Sequence, residues 1–289
     1  MLRKQNSLIF NLFIYIPLAL LVIAACYPLL YVLFASLSEP SRIVAHKGML
    51  FHPLGLSFQS YLFVFKNQNV ISGYLNTLFL VVMGLIVNLT MTILAAFVLS
   101  RKNVYWNKIL MIFIVITMFF NGGLIPLYLV VKGIGLINSL WSVIIPFAIN
   151  TFYMIIMRTA FQAIPESLEE SAKIEGANHF TILMRIVLPL SLPVLAVMTL
   201  YYSVDRWNGW FYASIFLQDR NLFPLQLFLR EILIGNSTDS MSSSSAGDGY
   251  QIGETIKYAT IIVSTLPILV MFPFVQKYFV KGVMIGAVK

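Results

Sequence analysis

Charge is what this 289-residue sequence has least of: Asp, Glu, Lys and Arg together make up 10% of it, against about 25% in a typical globular domain. Hydrophobic residues account for 59%, and the mean hydropathy is +0.87. So few charges cannot cover a water-facing surface, and most of the surface must meet lipid. That excludes a soluble enzyme, a nucleic-acid binder and a disordered scaffold. Cysteine is almost missing as well. The single Cys26 excludes an internal disulfide framework and argues against a cysteine-based metal site. His46, His52 and His179 all fall in loops, with no HExxH and no paired carboxylates, so neither a metal site nor a catalytic residue is expected. The chain also lacks a GxxxxGK[ST] loop and cannot cradle ATP phosphates in that way.

Long apolar runs are what it does have. Six stretches free of Asp, Glu, Lys and Arg approach or exceed the roughly 20 residues a helix needs to cross a bilayer. They are Ser7 to Ser38, Tyr74 to Ser100, Ile109 to Val131, Leu140 to Met157, Ile186 to Val204 and Tyr258 to Gln276. An all-α polytopic membrane protein with six transmembrane helices follows, a single transmembrane domain over 1–289. The first stretch is too long for a bare crossing and is expected to tilt or extend beyond the bilayer. The third should break at Asn121-Gly122-Gly123 and Pro126. Asp205 and Arg206 are placed at the outer end of the fifth, which leaves the spans without ionisable groups and argues against an ion-coupled carrier. If the protein transports, its energy must come from another chain.

Loop charge sets the orientation. One set of loops and tails holds 11 of the 19 basic residues, and the other set is longer, over 38–73 and 206–257. Both termini are therefore expected in the cytoplasm. Arg3-Lys4 ahead of an apolar run allows a cleaved signal peptide, and Ile23-Ala24-Ala25-Cys26 is similar to a lipoprotein cleavage box. The run continues to Leu37, however, so an uncleaved first span is expected.

The most informative segment is the cytoplasmic loop between the fourth and fifth stretches, residues 163–193. Pro165 suits the first position of a helix. Glu166, Glu169 and Glu170 suit its positive end, Glu169 and Lys173 form an i,i+4 pair, and Gly176 supplies the stop. The expected helix has about 11 residues, too short to stand alone, so a protein surface must hold it. A helix lying on the membrane surface would carry basic residues on its polar face; this one carries four glutamates and one lysine.

Glu170-Ser171-Ala172, Gly176, Ile186 and Leu188-Pro189 stand at the spacing of the EAA loop, EAA-x3-G-x9-I-x-LP. The chain thus resembles the permease subunits of ATP-binding-cassette importers, with Ser171 as the one departure. The resemblance implies the MetI-like permease fold and a cytoplasmic coupling helix, with Glu169, Glu170, Ser171, Ala172, Glu175, Gly176 and Ala177 at the ATPase contact. Gly123-Leu124-Ile125-Pro126-Leu127-Tyr128 and Trp207-Asn208 are similar to the MalG side of the maltose-type carbohydrate permeases. The tail from Gly282 to Lys289 is similar to the LplC/YtcP-type group, associated with complex or acidic oligosaccharides.

That branch implies a second homologous permease subunit, two ATP-binding-cassette subunits that carry ATP and magnesium, and an extracellular or periplasmic solute-binding protein. It implies no cofactor on this chain, an ATPase contact for the tail at Lys281 and Lys289, and a bacterial cytoplasmic membrane location. An importer permease for a non-sugar solute and an ion-coupled carrier are the alternatives.

On the outer side Trp207, Asn208, Trp210 and Tyr212 suit sugar passage, although an aromatic belt explains the rings better, and inside the spans Asn121, Asn150 and Tyr153 can line a path or make helix–helix hydrogen bonds. Asn76 and Asn88 can serve a path or helix–helix hydrogen bonds. The Ser/Gly-rich segment 235–249 reads as flexible; its position resembles that of the external loop of MalG-type subunits, which implies contact with the binding protein, and a linker that contacts nothing is the alternative.

Overall fold

A computed structural model describes residues 6–234, 255–271 and 273, and among them it is built from helices, with one isolated antiparallel bridge between Ser38 and Leu56. The described residues divide into two compact units, one within Met1–Gln68 and Leu229–Leu266, the other within Asn69–Phe228 and Pro267–Lys289.

In the first unit α1 (Asn6–Ser36) is a single helix. Its 31 residues reach about 46 Å at 1.5 Å per residue, longer than a hydrocarbon core of about 30 Å. Only 6% of its most apolar window is buried, so its surface is one for lipid or another chain. Two short helices follow, α2 (Pro40–Ala45) and α3 (Gln59–Lys66). The Ser38 hydroxyl ties the turn between them to α1, donating to the Phe34 carbonyl and accepting from the Leu54 N–H. Ser60 of α3 donates to Thr255 at 2.7 Å, both buried.

In the second unit α4 (Gln68–Ser100) is one unbroken helix. Each of the next three apolar stretches is bent. Helices α5 (Asn107–Phe119) and α6 (Leu124–Gly133) meet at 113°, and Gly123 takes φ +88° at the expected break. The fourth stretch is short 3-10 turns over Leu140–Phe147 followed by α7 (Thr151–Gln162), bent by 49°. The fifth is α9 (His179–Leu190) and α10 (Leu192–Trp207), bent by 85°, and it follows the short helix α8 (Glu166–Ile174). Pro189 and Pro193 flank that bend and have no N–H to donate, and a π-helical turn over Leu183–Val187 precedes it. With the shorter apolar helix Thr255–Met271, these elements account for the six apolar stretches.

The fifth helix continues past Val204 through Asp205, Arg206 and Trp207, so Asp205 and Arg206 stand in its last turn, at the end where they were expected. One expectation is corrected. The region after the fifth helix is not a plain loop, because α11 (Phe211–Phe216) and α12 (Leu225–Ile234) fill much of its described part.

Candidate functional site

The second unit carries two features of functional chemistry. The first is α8. Pro165 precedes it in an extended conformation (φ −58°, ψ 131°), and the helix ends by hydrogen bonds from Gly176 N–H to Lys173 C=O and from Ala177 N–H to Ala172 C=O, 3.0 and 2.9 Å. This is a Schellman ending, in which the residue past the cap must be left-handed. Gly176 supplies φ +84°. Its spacing behind Glu170 is therefore set by helix length.

The glutamates of α8 separate by direction. Glu169 is buried at 6% exposure and forms an ion pair with Arg101, just past the end of α4. The Arg101 guanidinium also lies 4.3 Å from the centre of the Phe97 ring. Glu166 pairs with Lys102 at 2.8 Å. The expected Glu169–Lys173 pair gives way to this tertiary pair. Burial lowers the Arg101 pKa, and the nearby Glu166 carboxylate opposes that. The Lys102 ammonium, by hydrogen bond and charge, holds Glu166 below the usual carboxylate range and is itself raised.

Opposite lies an open face. Glu170, Ser171 and Glu175 are exposed, and Ile174 is 88% exposed. The Ser171 hydroxyl donates back to the Ser167 carbonyl, a bond an alanine would lack. Ala172 and Ala177 are half-buried against a core of Phe97, Met157, Phe161, Ile182 and neighbours, where small side chains let α8 lie close. The α4 end beside it is closed by side chains: Asn107 Nδ2 donates to Leu99 and Arg101 carbonyls, and Arg158 Nε donates to Leu99 at 2.7 Å.

The second feature is a cavity of about 440 Å³ at the far end of α10, within the roughly 300–1,000 Å³ of small-molecule sites. Asn150, Asn208, Trp210 and Tyr212 from the expected path line it, together with Phe147, Asp205 and Arg206. Asn150 also caps α7, its Oδ1 accepting from Tyr153 N–H. Tyr153 is not among the lining residues; its hydroxyl donates to Asp205 at 2.8 Å. Trp207 is 5% exposed and packs edge-on against Tyr74. Asn121 stays in the α5–α6 turn, accepting from Gly123 N–H, and does not line the cavity. Lys281, Lys289 and the segment 235–249 lie outside the described residues.

Sequence reasoning missed Arg206. Its guanidinium donates to the Val143 and Phe147 carbonyls and to Asn88 Oδ1, and Asn88 Nδ2 donates to Phe147 and Ala148. Carbonyls released where the fourth stretch breaks would be costly in hydrocarbon; Arg206 and Asn88 satisfy them. Gly84 makes the room: a Cβ there would sit 3.0–3.2 Å from Arg206 Nε, Cδ and Cγ. The one sequence signal was Gly84 and Asn88 four apart on one helix face.

Comparison with known proteins agrees with this architecture. The chain is 40% identical over 286 residues to the polygalacturonan/rhamnogalacturonan transport system permease protein YtcP of Bacillus subtilis, covering 99% of this chain and all of that one. Protein LplC of the same organism is 36% identical, over 91% of this chain and 88% of its own. Among solved structures, a chain of a bacterial ABC transporter involved in the import of the acidic polysaccharide alginate superposes with a TM-score of 0.87. It is 30% identical, covering 96% of this chain and 99% of that one. Residues 88–285, which contain the coupling helix and the Asn88–Arg206 clasp, match the family model of the binding-protein-dependent transport system inner membrane component, and the chain belongs to that family.

Proposed function

We propose that this chain is the MalG-like permease subunit of an ATP-driven importer for complex or acidic oligosaccharides. The observation that carries the reading is α8: a nine-residue helix, too short to persist alone, held from behind by Arg101 and Lys102 while Glu170, Ile174 and Glu175 stay exposed. An exposed ridge on a firmly seated base suits docking into an ATPase subunit, whose closure would push α8 and, through the ion pairs, the end of α4. The naming of its relatives for polygalacturonan, rhamnogalacturonan and alginate transport supports a polymeric, acidic sugar as the cargo.

In this scheme the chain pairs with a second homologous permease above two ATPase subunits that bind ATP and magnesium, and an external binding protein delivers the sugar. Both termini are cytoplasmic, and Lys281 and Lys289 reach the ATPases. The chain itself is no enzyme. The cavity at Trp210 and Tyr212 offers ring faces for sugar stacking and the amides of Asn150 and Asn208 for hydroxyls. The test is reconstitution of the chain with its neighbouring permease, ATPase and binding-protein genes in liposomes. Hydrolysis stimulated by oligogalacturonides or alginate fragments with binding protein, and lost in Gly176→Pro while assembly persists, is the expected result. Hydrolysis indifferent to every sugar withdraws the cargo, and failure of any ATPase to co-purify overturns the reading.

A further inference from the structure

A groove of about 1000 Å³ opens between the α4–α5 turn, the first two turns of α5 and the end of α7. One end of it is cationic, formed by Arg101, Lys102, Lys108 and Arg158, and no aspartate or glutamate is among the residues that line it. Arg101 is already paired with Glu169. Lys102 already has Glu166 as a partner, and Arg158 spends its Nε on the Leu99 carbonyl. Lys108 has no ion pair among the described residues. The other end is wholly apolar, formed by Met111, Ile112, Val115 and Ile116. From Lys108 to Ile116 the groove follows α5 for about 12 Å, which is the reach of a glycerol backbone and the upper part of an acyl chain.

Tyr105 and Trp106 of the α4–α5 turn also line the groove, 85% and 60% exposed. Trp106 adopts φ +68°, a conformation bulky L-residues rarely accept and one that persists only where something fixes it. The turn holds an indole between Lys102 and Lys108 in sequence, and Trp and Tyr are favoured where charge meets hydrocarbon. Basic pockets between helices on the cytoplasmic face suit anionic lipid headgroups.

We infer that this groove is a binding site for an anionic glycerophospholipid, its phosphate at Lys108 and Arg158 and its chain along α5. The inference rests on the cytoplasmic placement of the α4–α5 turn given above but not on the cargo. The assembled transporter, reconstituted in nanodiscs, provides the test. Tryptophan emission is measured with phosphatidylglycerol or phosphatidylcholine brominated on the acyl chain, and the signal of Trp106 is isolated by difference from Trp106→Phe.

The brominated phosphatidylglycerol should half-quench Trp106 at a mole fraction at least roughly five-fold lower than the choline lipid, and Lys108→Gln should remove about that factor, the contribution of one surface cation. Equal quenching by the two lipids overturns the site. Absence of quenching by either also overturns it, because the groove is then covered by the second permease. A preference erased by excess inorganic phosphate overturns it in favour of a small-anion site. Each of these outcomes leaves sugar-stimulated hydrolysis untouched, so the two readings fail separately.

Discussion

Glu169→Gln keeps the volume of the side chain and removes its charge, leaving Arg101 opposite a neutral amide. Breaking a fully buried pair in this way costs about 3–5 kcal/mol, and an exposed pair is worth about 0.2–1 kcal/mol. The side chains here are 8% and 19% exposed, near the buried limit, and with an amide hydrogen bond kept the loss comes to about 2 kcal/mol. Because α8 cannot hold itself as a free helix, that loss falls on its docking against the α4 end. A change of 2 kcal/mol multiplies the detached population by about 30.

Hydrogen exchange of the α8 amides in the assembled transporter reads this directly, and exchange should quicken by about that factor. Ser167→Ala is the control, since Ser167 is exposed and outside the residues assigned to the ATPase contact, and it should leave exchange unchanged. In liposomes Glu169→Gln should hydrolyse more ATP per sugar delivered. Exchange within about three-fold of wild type would show that the Arg101–Glu169 pair does not seat α8.

Gly176→Ala meets no atom within 4 Å but must accept φ +84°, so it should cost about 1–2 kcal/mol of α8 stability, with Asn at this position costing less; exchange at Ala177 N–H reports it. Gly84→Ala drives a Cβ against the stem of Arg206 and should cost about 1–3 kcal/mol, read as a lower melting temperature of the purified complex. Trp210→Ala should lower sugar uptake with assembly intact, whereas Trp207→Ala, which empties a buried site against Tyr74, should impair assembly, as membrane yield and gel filtration will show. For pH, Glu166 lies below its usual range, so its pairing is lost only as pH falls through that depressed value. Lys102 lies above its usual range, so its share is lost only as pH rises through the raised one. The α8 exchange rate, corrected for its intrinsic pH dependence, should therefore be flat from about pH 5 to about pH 10.

Much of the coupling segment was legible because it depends on neighbours in sequence. Pro165, the acidic first turn and Gly176 act within one short helix, and local rules found each of them. Which glutamate turns inward was not legible, because the Arg101 that decides it is 68 residues before Glu169 in the chain. The break at Asn121–Gly123 was marked by its own glycines. The 85° bend at Ser191 had a mark in the flanking Pro189 and Pro193, but hydropathy over the span concealed it. Arg206 was placed at a helix end by charge alone, and only the backbone opened at the fourth stretch gives it a reason to be buried. Among aromatics, Trp207 and Trp210 read alike as sequence; helix register puts one into packing and the other into the cavity.

The clasp of Gly84, Asn88 and Arg206 also constrains how this sequence can drift. Any side chain at 84 must push back the stem of Arg206 by a few tenths of an ångström while arginine occupies 206. A shorter residue at 206 would free position 84 and strand the carbonyls of Val143 and Phe147 at the same moment. Neither change is neutral alone. Relatives that have left this arrangement should therefore have done so at both positions together, with a new donor or a straightened helix at 143–150.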